Sequence, residues 1–176
     1  MSLSSTTLLV FGLEKESTPK SLSDSKQPAF MTVPLHECAD TRLGVKFLCD
    51  GDWSLETDKG AVLIGISEKP EVSMTLLKND APVMALELLS PQALKGLGHY
   101  EDGFSSRLIK LNGQDVLKME GAMKDVPDTY VMDFYLIHDV SLYGILFTIS
   151  PQKHFPEFKP LLITILKSFA FLEDNF

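Results

Sequence analysis

The chain has 176 residues, 44% of them hydrophobic and 23% charged, and 24 acidic against 16 basic side chains leave a formal net charge of -8. Such proportions describe one ordinary globular domain, large enough to bury about two-thirds of the surface its unfolded chain exposes, so folding requires no metal or disulfide. The scattered acidic excess works against sequence-independent nucleic-acid binding and against anionic membrane surfaces. The apolar stretch Leu8 to Leu13 falls far short of the ~18 residues needed to cross a bilayer.

Residues 1–32 read as an N-terminal arm, with Ser, Thr, Lys, Asp and Gln interleaved around one apolar patch. Thr7 to Leu13 is expected to pack as an added strand, while Ser17 to Pro28 runs over the surface. From residue 33 to 176 the pattern is that of a domain. Val33 to Cys38 and Gly44 to Cys49 flank the turn-like ADTRLG and predict a hairpin. Asp50-Gly51-Asp52 reads as a turn, after which Trp53, the single tryptophan, opens a strand as a core anchor.

Ala61 to Ser67 and Val72 to Lys78 predict two strands separated by the breaker Glu68-Lys69-Pro70-Glu71, with Val72, Met74 and Leu76 on one face. Ser90 can cap free amides and Pro91 suits a first helical position, so a short helix is expected there, stopped by Gly96 and Gly98. Phe104 to Leu111, Asn112-Gly113 and Gln114 to Gly121 predict a two-residue β-hairpin, because Asn-Gly tolerates the positive φ angles of a type I′ turn. Its register sets Leu108 opposite Leu117, Ile109 opposite Val116 and Lys110 opposite Asp115.

Past a turn at Asp125 to Asp128, the stretch Thr129 to Ile137 alternates, with Tyr130, Met132, Phe134 and Leu136 on one face. Leu142 to Ile149 supplies the matching set Tyr143, Ile145, Phe147 and Ile149, so these two strands are expected at the centre of the sheet. After Ser150-Pro151 the period becomes helical. Phe155, Phe158, Leu162, Ile165 and Phe169 form one stripe, with the secure part of the helix at 160–168 because Pro156 and Pro160 precede it.

No nucleophile elbow, phosphate-cradling loop or dinucleotide fingerprint occurs. Cys38 and Cys49 match neither a zinc pattern nor a redox pair and read as small buried apolar side chains, with a disulfide as the alternative in an exported protein. His36, His99, His138 and His154 are dispersed, and the acidic pairs Glu101-Asp102 and Asp125/Asp128 sit beside turns that favour Asp for backbone reasons. The expectation is therefore a protein with no catalytic, cofactor-binding or metal-ligating residues and no cofactor.

The phrases VKFLCDGDWSLE, IKLNGQDVLKMEG, YVMDFYLIHDVSLYGILFTIS and PQKHFPEFKPLLITILKSFAFL, in that order, resemble the Mog/PsbP-like superfamily over residues 33 to 172. The resemblance implies an α+β fold, an antiparallel β-sheet with a C-terminal amphipathic helix and a second shorter helix in an α/β/α sandwich. It also implies binding rather than catalysis, since its members include an extrinsic photosystem subunit, a Ran-binding transport factor and bacterial lipoproteins. Fold alone does not choose among these, and no functional residue carries over.

The expected function is a non-catalytic protein-interaction or assembly module working through a sheet edge, a helix face or the arm. The alternatives are a small-ligand or lipid-binding protein and, behind it, an unrecognised enzyme. A protein partner is expected, with no nucleic acid and no transmembrane segment, and a strand edge or swapped arm offers a route to a homodimer. The compartment is expected to be the cytoplasm if Met1 is the natural start, and outside it if an export signal has been removed.

Overall fold

A computed structural model of the chain describes residues 34–49, 55–58, 61–80, 86 and 100–172. The expected arm, Trp53 and the short helix at Ser90 to Lys95 lie outside the described residues. Among those described there is one α-helix, with a 3-10 turn (Gln152–His154) leading into it.

The strands are β1 (His36–Asp40), β2 (Val45–Cys49), β3 (Leu55–Asp58), β4 (Ala61–Glu68), β5 (Glu71–Asn79), β6 (Ser105–Leu111), β7 (Gln114–Ala122), β8 (Tyr130–His138) and β9 (Ser141–Ser150). Helix α1 (Phe155–Ser168) and β10 (Ala170–Phe171) complete them. Seven strands form one antiparallel sheet in the order β3-β4-β5-β9-β8-β7-β6. The expected pair β8 and β9 does lie at its centre. The single sheet read from the sequence is, however, two: β1, β2 and β10 form a separate three-stranded sheet in the order β1-β2-β10. Which sheet a hairpin joins depends on partners remote in sequence, and local alternation carries no information about that.

The first hairpin turns on Asp40. Its Oδ1 accepts the amides of Arg42 and Leu43 at 2.9 and 3.1 Å, its other oxygen pairs with the Arg42 guanidinium, and Gly44 closes the turn at a φ of 68°. The Arg42 side chain donating to it, helped by those amides, holds the Asp40 carboxyl below its ordinary value. In the β6–β7 hairpin Asn112 and Gly113 have φ of 49° and 85°, and Leu108, Ile109 and Lys110 face Leu117, Val116 and Asp115 as expected.

The inner face of the large sheet carries Val72, Met74, Leu76, Val116, Met132, Phe134, Leu136, Ile145, Phe147 and Ile149, all buried. Helix α1 and the small sheet share this core, contributing Phe158, Leu161, Leu162, Ile165 and Leu166 from the helix and Val45, Phe47 and Cys49 from β2. At roughly 1.5–3 kcal/mol of gross transfer free energy per large apolar side chain, this shared core is the main favourable term in folding. The helix starts at Phe155, earlier than the secure 160–168 expected. Pro156 falls in the first turn, where a missing N–H costs nothing, and Glu157 there and Lys167 in the last turn both suit the helix dipole. Phe169 lies past the helix in extended backbone yet remains buried, so the stripe ends at Leu166.

Candidate functional site

On the outer face of the large sheet, the alternation that buries Met132 and Phe134 inward turns Val131, Asp133 and Tyr135 outward. Asp133 is nevertheless fully buried, among Leu86, Tyr100, Leu117, Met119 and Val131, which form a second apolar cluster with Phe104, Tyr135, Ile137 and Leu142 packed against it. The Tyr100 hydroxyl donates to Asp133 Oδ2, and the Tyr135 hydroxyl reaches the same oxygen at 3.4 Å. Among the described residues Oδ1 has no hydrogen-bond partner. Burial pushes the Asp133 carboxyl up to about 7, against the pull of the two hydroxyls. Burial, and then the neighbouring carboxyl, push both tyrosine hydroxyls up as well.

Tyr100 is held there by an isolated bridge to Met123, the Glu101 amide donating to the Ala122 carbonyl at 3.0 Å, and a ring contact with Phe104 at 5.1 Å. Gly121 makes the room. A Cβ on it would stand 2.8 Å from Phe104 Cβ, 3.1 Å from Phe104 Cα and 3.4 Å from Tyr100 Cδ1, so the strand admits only hydrogen at that point. Gly121→Ala is expected to destabilise the protein by about 2 kcal/mol through this overpacking, measured by urea unfolding; an unchanged midpoint would show that Phe104 moves aside freely. Tyr100, Glu101, Asp102 and Lys124 border an open depression of about 520 Å³ beside the cluster. A charged Asp in an otherwise apolar register of a central strand was the signal for this site, and its meaning depends on Tyr100, which comes from a different part of the chain.

The same outer face leads to a sheet edge. Among the described residues β6 pairs with β7 alone, and it presents Leu108, 48% exposed, beside exposed Arg107 and Lys110. Lys110 is paired with Asp115 at 2.9 Å across the hairpin. On the inner face of β7, Lys118 and Glu120 form a nearly buried ion pair at 2.8 Å. Burial, and then this Glu120 charge, raise the hydroxyl of Tyr130, whose ring packs on Phe155 at 4.2 Å.

His138 stacks on the ring of Phe171 with centroids 3.5 Å apart and reaches Asp139 at 3.6 Å, so it joins the small sheet's last strand to the large sheet. His154 bonds Glu157 at 3.1 Å on the first turn of α1 and borders an open depression of about 480 Å³ with Glu68, Lys69, Pro70, Glu71, Ser150 and Pro151. His99 lies outside the described residues. Asp128, at a φ of 57°, accepts the Gln152 amide on its carbonyl at 2.7 Å, which bears out a backbone role in the turn.

Cys38 and Cys49 are joined in a disulfide with Cα atoms 5.9 Å apart. His36 lies two residues before Cys38 on the same side of β1 and directly opposite Cys49 in register, which brings its Nε2 to 3.7 Å from each sulfur. The His-x-Cys spacing within a strand was the visible half of this arrangement, and the register with β2 supplies the other half.

No family model matches the chain, and no curated protein matches it. Solved structures do. It is similar to the solution structure of cyanobacterial PsbP (CyanoP) from Synechocystis sp. PCC 6803, with 16% identity and a TM-score of 0.50 over 78% of this chain and 92% of that one. It is also similar to a protein of unknown function, PA94, from Pseudomonas aeruginosa, with 10% identity and a TM-score of 0.50 over 76% of this chain and 94% of that one. A crystal structure from Bacteroides thetaiotaomicron VPI-5482 matches at 9% identity and a TM-score of 0.50, over 76% of this chain and 47% of that one. At such identities the likeness is one of fold, and the fold is PsbP-like α+β.

Proposed function

We propose that this protein is a non-catalytic docking module that takes up a protein partner along the free edge of β6. The observation that carries this reading is that edge itself: seven residues, Ser105–Leu111, with no second strand beside them among the described residues and with Leu108 about half exposed in the middle. An edge strand offers a row of backbone donors and acceptors, and an extended segment of a partner adds to it by main-chain hydrogen bonds, with side-chain contacts setting specificity. Leu108 is the apolar anchor for such a contact. The partly exposed Tyr135, Ile137 and Leu142, with Leu77 at 39% exposure, continue apolar surface across the same face. We extend the likeness to the Mog/PsbP-like grouping as a whole, where binding is the common theme.

A small-ligand or lipid carrier is the weaker reading, because the depression beside the Asp133 cluster is bordered by Glu101, Asp102 and Lys124, and the one beside His154 by Glu68, Lys69 and Glu71. The test is affinity capture with the full chain, comparing Leu108→Asp with the control Val140→Asp, which alters the exposed turn between β8 and β9. A partner recovered with the parent protein is expected to lose at least about tenfold in affinity with Leu108→Asp and nothing with Val140→Asp. Equal loss in both, or in neither, removes the β6 edge from the reading. Self-association that Leu108→Asp abolishes would identify the occupant as a second copy.

A further inference from the structure

We infer that the β1–β2 hairpin is a redox-gated site for a thiophilic divalent cation of the zinc class, with His36, Cys38 and Cys49 as its three protein ligands. Three observations carry it. The donor atoms of these residues all lie within 4.8 Å of one another. The ligand types are two thiols and one imidazole, the set that zinc-class ions prefer over harder cations. And the spacing fits: Zn–S of about 2.3 Å and Zn–N of about 2.0–2.1 Å at tetrahedral angles require S···N edges of roughly 3.6 Å. Both S···N distances are 3.7 Å.

In the bonded form the sulfurs cannot ligate a divalent ion as thiolates. A dithiol reductant opens the site by giving up two electrons and two protons: it leaves as a disulfide, and Cys38 and Cys49 become thiols. The cation then displaces the two thiol protons, forms two metal–sulfur bonds, and takes the lone pair of neutral His36 Nε2 as its third donor. The sulfurs must part to roughly 3.8 Å for this. Side-chain rotation provides that movement, because Cα atoms 5.9 Å apart suit a two-cysteine chelate as well as a disulfide. Cys49, on β2, is buried and anchors the site to the core, whereas His36 on β1 is exposed, which leaves a fourth coordination position for water or a partner's ligand. The arrangement is a three-ligand site on a sheet edge, separate from the β6 edge.

The experiment uses the full chain, reduced with a phosphine that does not chelate metals and titrated with Co²⁺, whose thiolate charge-transfer absorption reports sulfur ligation directly. One equivalent is expected to bind, to be displaced by Zn²⁺, and to be absent from the oxidised protein. His36→Ala changes an exposed side chain and leaves the core alone, so its fold is expected to be intact by circular dichroism. It should weaken Co²⁺ at least about tenfold while keeping the sulfur absorption, and Cys38→Ser should lose that absorption. Reduced protein that shows no charge-transfer band, or a His36→Ala variant that binds Co²⁺ as tightly as its parent, overturns the inference.

Discussion

Between pH 4 and pH 8 the parent protein is expected to lose stability that an Asp133→Asn variant keeps. The Asp133 carboxyl titrates near 3.8 when the chain is unfolded and at about 7 in the folded state. A folded-state value above the unfolded one means that the native protein holds a proton the unfolded chain has released. That contribution is complete below pH 3.8 and is lost as pH rises through 7. Three pH units of difference correspond to on the order of 4 kcal/mol, since each unit is about 1.4 kcal/mol. Asn has the shape of the protonated acid and cannot ionise, so it still accepts the Tyr100 and Tyr135 hydroxyls at all pH values.

The two proteins should therefore be of similar stability at pH 4, with the parent falling progressively below the variant as pH rises towards 8. Urea unfolding of both proteins across this range is the measurement, and a parent-minus-variant difference that stays level would refute the placement of a protonated carboxyl in the apolar cluster. Asp40 acts in the opposite sense and in a separate window. Its carboxyl is held low by Arg42, so its contribution is present above 3.8 and falls away only in more acidic solution.

What was legible in the sequence was whatever a few neighbouring residues decide. Asn112-Gly113 fixes a turn, the turn fixes a register, and the register fixes which of Ile109 and Leu108 faces the helix, all within sixteen consecutive residues. Alternation in β8 and β9 set the inner face correctly, because a period of two is a property of the strand alone. The unread features each need a contact between distant segments. The three-stranded sheet exists because β10, at the far end of the chain, pairs with β2. Asp133 becomes a buried acid only when Tyr100, 33 residues earlier, is laid over it. His36 meets Cys49 across a hairpin whose register the sequence left open, and thirteen positions apart they match no metal-binding spacing along the chain.

Asn112 shows how a local reading can be right and incomplete, and its substitution is expected to cost more than a turn residue should. Its backbone occupies the left-handed region at a φ of 49°, as a type I′ turn demands. Its side-chain amide also donates to the carbonyls of Lys167 and Phe169 at 3.2 and 3.1 Å, groups at the C-terminal end of α1 that the helix itself leaves without partners. The tip of the β6–β7 hairpin thus caps the helix that closes the core. Two such hydrogen bonds are worth about 1 kcal/mol each, and placing Ala in left-handed backbone costs roughly another 1 kcal/mol, so Asn112→Ala should destabilise by about 3 kcal/mol. Asn112→Gly separates the two roles: glycine takes the positive φ without strain but offers no amide, and should cost about 2 kcal/mol. If the turn were the residue's whole contribution, glycine would match the parent in urea unfolding; a Gly variant well below the parent and above the Ala variant assigns the difference to the helix end.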